Sequence, residues 1–327
     1  MYTTLGRAAA ILLVVAWACG GTTTTNSGGS GSGGGSADAG SASGGGGGGP
    51  PPALIVLAAG ENPSAIAING DNVYWINKDL DVRTVSKQGG AVSTITHAGA
   101  SPIFMLADEV AVYWTVNGTY WRAPLAGGAP GAIDTALASS FFGSDDTTAY
   151  YEKYNGSATS IVIAHRARDG SGSVTVNSSA GRYGSGGVTI GPGSVFWVSV
   201  GGMSMTGDFI LSVPANGTTV TQVAALGSGQ FAAGPIKYND GKIFYRTQDG
   251  VFSVPAGGGT PTRLANAAST RVPALDANSS VAYWNDSCLA SSAKGCIDTG
   301  GSSYGSVKVD GTYVYFDRGG DVMRLSK

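Results

Sequence analysis

A short strand-like stretch with two adjacent bulky aromatics recurs seven times along this chain. It reads DNVYWIN (71 to 77), VAVYWTV (110 to 116), TAYYEKY (148 to 154), SVFWVSV (194 to 200), KIFYRTQ (242 to 248), VAYWNDS (281 to 287) and TYVYFDR (312 to 318). The second aromatic falls at Trp75, Trp114, Tyr151, Trp197, Tyr245, Trp284 and Phe316, at spacings of 39, 37, 46, 48, 39 and 32 residues. Repeats of that length correspond to one four-stranded supersecondary unit each.

Upstream of the motif lie short apolar segments that end in tight turns, such as SAIAINGDN, PIKYNDG, PALDANS and SVKVDG. Downstream come a third strand with a glycine turn, as in FILSVPANG and VFSVPAGGG, and a fourth strand, as in VSTITHAG and TRLANA. Asn-Gly, Asp-Gly and Gly-Gly pairs supply the positive φ that hairpins require. No segment sustains a 3.6-residue apolar period, so the chain is predicted to be all-β. Successive strand side chains point to opposite faces, so adjacent aromatics need a sheet that is dry on both sides. A two-layer sandwich would alternate apolar and polar instead. Sheets set radially, each between two neighbours, meet the requirement. The prediction is a β-propeller of seven blades, with six blades and a decorated hairpin as the alternative.

The last blade runs out of chain before its fourth strand. The segment ALIVLAAGENPS, Ala53 to Ser64, matches a fourth strand plus connecting loop and is expected to complete that blade, closing the ring and removing an open edge. Blade six is irregular. DSCLASSAKGCIDTGGSS stands where its third and fourth strands are expected, and Cys288 and Cys296 lie within it. Behind an export signal such a pair reads as a loop-stapling disulfide, against a metal pair for which no further ligand lies nearby.

Residues 1–19 stand outside the repeats. Arg7, the apolar run AAAILLVVAWA and then Cys19–Gly20 resemble a bacterial lipoprotein signal peptide, in which the role of lipid-modified first residue would fall to Cys19. Ordinary cleavage or a retained anchor are the alternatives. Residues 20–52, rich in Gly, Ser, Thr and Pro, hold nothing that could build a core and read as a tether spanning roughly 30 Å. The folded domain is expected over 53–327. The address implied is the bacterial cell envelope, with a lipid anchor in the outer membrane.

The motifs DNVYWIN, VAVYWTV and VAYWNDS, with the SVPANG and SVPAGGG turns, resemble the YWTD-type propellers seen in low-density-lipoprotein receptors. That resemblance implies a six- or seven-bladed ring and a binding role, without naming a partner.

Charged residues make up 12% of the chain and the formal net charge is −2, which leaves no basic footprint for nucleic acid. His97 and His165, the only histidines, fall in outer strands, away from a propeller axis. The acids Asp71, Asp108, Asp145, Asp240, Asp276 and Asp310 precede second strands and read as turn residues. Asn77, Asp79 and Asp81 mimic the start of a calcium loop, but Val82 and Gln88 replace its glycine and bidentate acid. No cofactor is expected. The candidate ligand site is the mouth of the ring, where interblade loops bring Glu61, Phe141, Arg182, Tyr183, Gln230, Phe231, Arg271 and Tyr304. The functional expectation is a monomeric, membrane-anchored, non-catalytic module that binds a protein, peptide or glycan. A hydrolase or lyase acting at the axis on a carbohydrate or lactone, and a purely structural envelope protein, are the competing readings.

Overall fold

The computed structural model describes residues 53–102, 104–135, 137–154, 161–181, 183–200, 208–227, 235–247, 249–266, 274–285, 288–300 and 305–327. These residues form seven antiparallel sheets of four strands each. No helix occurs among the described residues. Blades 1 to 6 follow chain order from first to fourth strand, and the first strands of neighbouring blades, those of blades 2 and 3 apart, pack against one another around the axis. The protein is a seven-bladed β-propeller.

Blade-to-blade packing accounts for the paired aromatics. In blade 1 the second strand, Asn72–Ile76, buries Tyr74 against blade 2 and Trp75 against blade 7. Trp75, Trp114 and Trp197 are all fully buried, as are Tyr74, Tyr113, Tyr151 and Tyr245. Each such ring removes on the order of 150–250 Å² from water. The core is accordingly divided into seven clusters, each lying between two adjacent blades, rather than gathered at one centre.

Blade 7 is built from both ends of the domain. Val307–Val309, Tyr313–Arg318 and Asp321–Ser326 are joined by Leu54–Ala58, which pairs antiparallel with Asp321–Ser326 from Leu54↔Leu325 to Ala58↔Val322. Leu57 and Ala58 bury into the cluster that contains Trp75 and Tyr315. The expected closure by the N-terminal strand is therefore observed.

A polar clamp reinforces the same junction. Lys87, directly after the third strand of blade 1, donates to Asp310 Oδ2 of blade 7 at 2.8 Å. Its Nζ also stands 5.4 Å from the centroid of the Tyr315 ring, whose hydroxyl donates to the same carboxylate oxygen at 2.9 Å. Blades 2 and 3 repeat the device: Arg168, directly after the third strand of blade 3, pairs with Asp108 and stands 5.5 Å from the Tyr113 ring.

Blade 6 corrects one expectation. Its third and fourth strands are shortened rather than replaced, to Leu289–Ser291 and Gly295–Asp298. The Cys288–Cys296 disulfide joins the two strands and staples the short hairpin in place. A covalent tie substitutes for the ladder bonds that longer strands provide.

Candidate functional site

The seven first strands carry one register-equivalent residue each, set opposite the first aromatic of the motif. Blade by blade it is Ala67, Leu106, Gly143, Thr189, Lys237, Asp276 and Lys308. All but Ala67 line a single cavity of about 140 Å³ between the first strands. Phe104, Val188, Ile190, Ile236 and Leu275 supply much of the remaining wall. Gly143 is required by close approach, because a Cβ there would stand 2.8 Å from Ile190 Cγ1. The charges are confined to blades 5, 6 and 7, so the cavity is cationic on one side and apolar on the other.

Two of the axial residues staple neighbouring blades. Thr189 Oγ1 accepts the Tyr238 amide at 2.9 Å, and Asp276 Oδ2 accepts the Val309 amide at 2.9 Å. Tyr238 and Val309 occupy the same place in their strands, one residue past the axial position. In each case a side chain satisfies a backbone donor on the inner edge of a sheet, which would otherwise lack a ladder partner. Asp276 Oδ1 accepts its neighbour's amide, Ala277 N, at 2.9 Å and Lys237 Nζ lies 3.2 Å away, so both carboxylate oxygens are engaged.

Lys308 is held differently. Among the described residues its ammonium meets no carboxylate within ion-pair distance, and its contact is the Phe104 ring, 4.9 Å away across the axis. The residue is partly covered, and desolvation lowers the ammonium below the usual lysine range. Asp276 opposes the shift and Lys237 adds to it. Asp317 is the counterpart among the acids. Burial raises its carboxyl above the usual range, although it accepts the Gly305 amide at 2.7 Å and that of Ser306 at the entry to blade 7.

No family model and no curated protein sequence matches this chain. Solved structures do match. Catalytically inactive virginiamycin B lyase from Staphylococcus aureus, with quinupristin, is similar over 84% of this chain and 99% of its own, at 13% identity and TM-score 0.64. The computationally designed Ika8 protein aligns over 83% of this chain and 98% of its own, at 10% identity and TM-score 0.55. Puromycin hydrolase aligns over 80% of this chain and 50% of its own, at 14% identity and TM-score 0.57. At these identities the likeness is one of fold.

The predicted mouth residues are distributed unevenly. Glu61 accepts the Trp75 indole N–H at 3.0 Å and lies 3.7 Å from Arg83, so its carboxylate is engaged within blade 1. Phe141 lies in the first strand of blade 3, and Tyr183 begins that of blade 4. Arg182, Gln230, Phe231, Arg271 and Tyr304 fall outside the described residues, as do Cys19 and the tether. His97 lies in a fourth strand beside Asp81 and His165 in a third strand beside Tyr150, both on outer parts of their blades. Asn77 Oδ1 accepts the amides of Asp79 and Asp81, which makes the calcium-like fragment a turn.

Asp276 is the correction among the acids. Asp108, Asp145 and Asp310 each accept two amides just ahead of a second strand, as turn residues do. Asp276 instead sits inside a first strand, Leu275–Asn278, buried at the axis. Lys237 and Lys308 were not singled out by sequence either, although each stands seven residues ahead of the first aromatic of its motif, Phe244 and Tyr315.

Proposed function

We propose that this chain is an exported, lipid-anchored propeller of YWTD-like character that acts as a non-catalytic binding module. Its ligand, a peptide or glycan, enters at the mouth of the ring. The observation that carries the reading is the axial cavity, which joins an apolar wall to a cationic one in the way binding pockets combine shape with a few placed polar groups. Its single lining carboxylate, Asp276, is already committed to an ammonium and two amides, an arrangement suited to holding structure together. On this reading Phe141, Tyr183, Phe231 and Tyr304 wall the mouth, Arg182, Arg271 and Gln230 offer it polar groups, and Glu61, held by Trp75 and Arg83, flanks it.

A peptide and glycan array probed with the purified chain tests the module. Stacking and an arginine contact are each worth roughly 0.5–2 kcal/mol. A hit should therefore weaken by about two- to thirtyfold in Tyr183→Ala and in Arg271→Ala. Turnover of the hit, or indifference to both changes, would overturn the assignment.

Anchoring is tested separately. Cys19→Ser should move the protein from the membrane fraction to the soluble one, because the thiol is the proposed point of lipid attachment. Retention of the variant in the membrane, uncleaved, would defeat the lipoprotein reading.

A further inference from the structure

We propose that the axial cavity is a carboxylate site, taking a small monocarboxylic acid with one ring-sized apolar group. This inference rests on the binding-module reading and deepens it. The acid group would lie between Lys308 and Lys237, and the apolar group against Phe104, Leu106 and Ile190.

Three observations point to that chemistry. The lining bears two ammonium groups and one carboxylate, and Asp276 pairs with Lys237, leaving Lys308 with an aromatic face as its partner among the described residues. A partly desolvated ammonium whose nearest carboxylate, Asp276, is already paired with Lys237 is incompletely compensated, and an incoming carboxylate would complete the balance. The opposite wall carries no charge: Leu106, Gly143 and Thr189 occupy the positions that Lys237, Asp276 and Lys308 hold across the axis. Finally, the whole cavity measures about 140 Å³, close to the roughly 150 Å³ that accepts one benzene ring, so it takes at most one ring with its acid group, and any longer part of a ligand must extend out of it.

Binding of this kind is linked to protons. The titratable groups facing Lys308 within the wall are Asp276, Lys237 and Tyr238. Burial disfavours the Lys308 cation in the empty cavity, and a bound carboxylate would favour it. A bound carboxylate is therefore expected to raise the Lys308 pKa. Affinity should be greatest between the acid's own pKa, near 4, and the lowered lysine pKa, and decline as pH rises through the latter.

Titration of the purified full-length chain with benzoate, 3-phenylpropionate and benzamide tests the site, with the peptide Gly-Gly-Phe in its free-acid and amidated forms as a second arm. The acids should bind at least tenfold more tightly than benzamide, and weaken with rising pH. If the free-acid peptide matches 3-phenylpropionate while its amide fails, the source is a peptide C-terminus; if only the small acids bind, it is a free metabolite-like acid. Lys308→Gln should lose affinity about tenfold or more. Lys308→Arg, which keeps its charge, should bind the acids with a flattened pH dependence, and thermal melts establish that each variant is folded. Leu106→Trp, which fills the apolar side, should abolish binding. Equal binding of benzoate and benzamide, or no loss in folded Lys308→Gln, would overturn the carboxylate site. Absence of any acid binding alongside a surviving array hit would overturn it while leaving the module reading in place.

Discussion

Deleting residues 20–59 should lower the melting temperature by roughly 10 °C, whereas deleting residues 20–50 should leave it unchanged. The first deletion removes Leu54–Ala58, whose main-chain bonds to Asp321–Ser326 complete blade 7. It also withdraws Leu57 and Ala58 from the cluster around Trp75 and Tyr315. Burial of those two side chains is worth about 2–3 kcal/mol, and the lost ladder brings the total to about 4 kcal/mol after the entropy of ordering the strand is set against it. At roughly 2–4 °C per kcal/mol for a domain of this size, a shift near 10 °C follows. Equal melts for the two truncations would place ring closure elsewhere.

Asp310→Ala should destabilise the ring by about 2–3 kcal/mol. The carboxylate accepts from Lys87 of blade 1, from the Tyr315 hydroxyl, and from the Thr312 and Tyr313 amides of its own turn. Removing it would leave the Lys87 ammonium, 10% exposed, without its counter-ion. The estimate lies below the fully buried range because the Asp310 side chain remains 24% exposed and partly screened. Burial by itself would raise this carboxyl, but Lys87, the two amides and Tyr315 outweigh it and hold the pKa at about 2. An unfolded aspartate titrates near 3.9, so the contribution is present above about pH 4 and is lost as pH falls through about 2. Acid unfolding of Asp310→Asn should lack that part of the slope. A variant with the same melt and the same acid limb as the unchanged protein would show that the clamp contributes nothing.

The ring was legible in the sequence because its packing is written in one dimension. Paired aromatics such as Tyr74 and Trp75 report that both faces of a strand are covered, and they recur once per blade. Closure was legible for a similar reason: ALIVLAAG carries the pattern of a fourth strand, and the final repeat lacks one. Blade 6 was misread where composition masked the strands. Ser, Ala, Lys and Gly between the two cysteines suggest a loop, and the disulfide lets residues of weak β propensity hold a short hairpin. The axial charges were hidden by a different ambiguity. Asp276 stands close enough to a turn to pass for a turn residue, yet it lies further ahead of its second strand than Asp108, Asp145 or Asp310 do. Aligning the first strands as strictly as the second strands would have put Lys237, Asp276 and Lys308 in one column with Ala67, Leu106, Gly143 and Thr189.

The pairing of Leu54–Ala58 with Asp321–Ser326 also sets the timing of folding. Ala53 and Ser326, which hydrogen-bond to each other in the finished blade, are separated by 273 residues. At the usual 5–20 residues per second of synthesis, Leu54–Ala58 is made roughly 14–55 s before its partner. Throughout that interval Leu54, Ile55 and Val56 have no neighbour to pair with, and in the folded ring they still form the most apolar stretch among the exposed large hydrophobic residues. The blades from 1 to 6 can assemble on neighbours made moments earlier, whereas the seventh cannot be completed until Asp321–Ser326 has been made. Ring closure is thus the step of highest contact order, expected to come late, and a chain stalled before Asp321–Ser326 would present a sticky open edge to its surroundings.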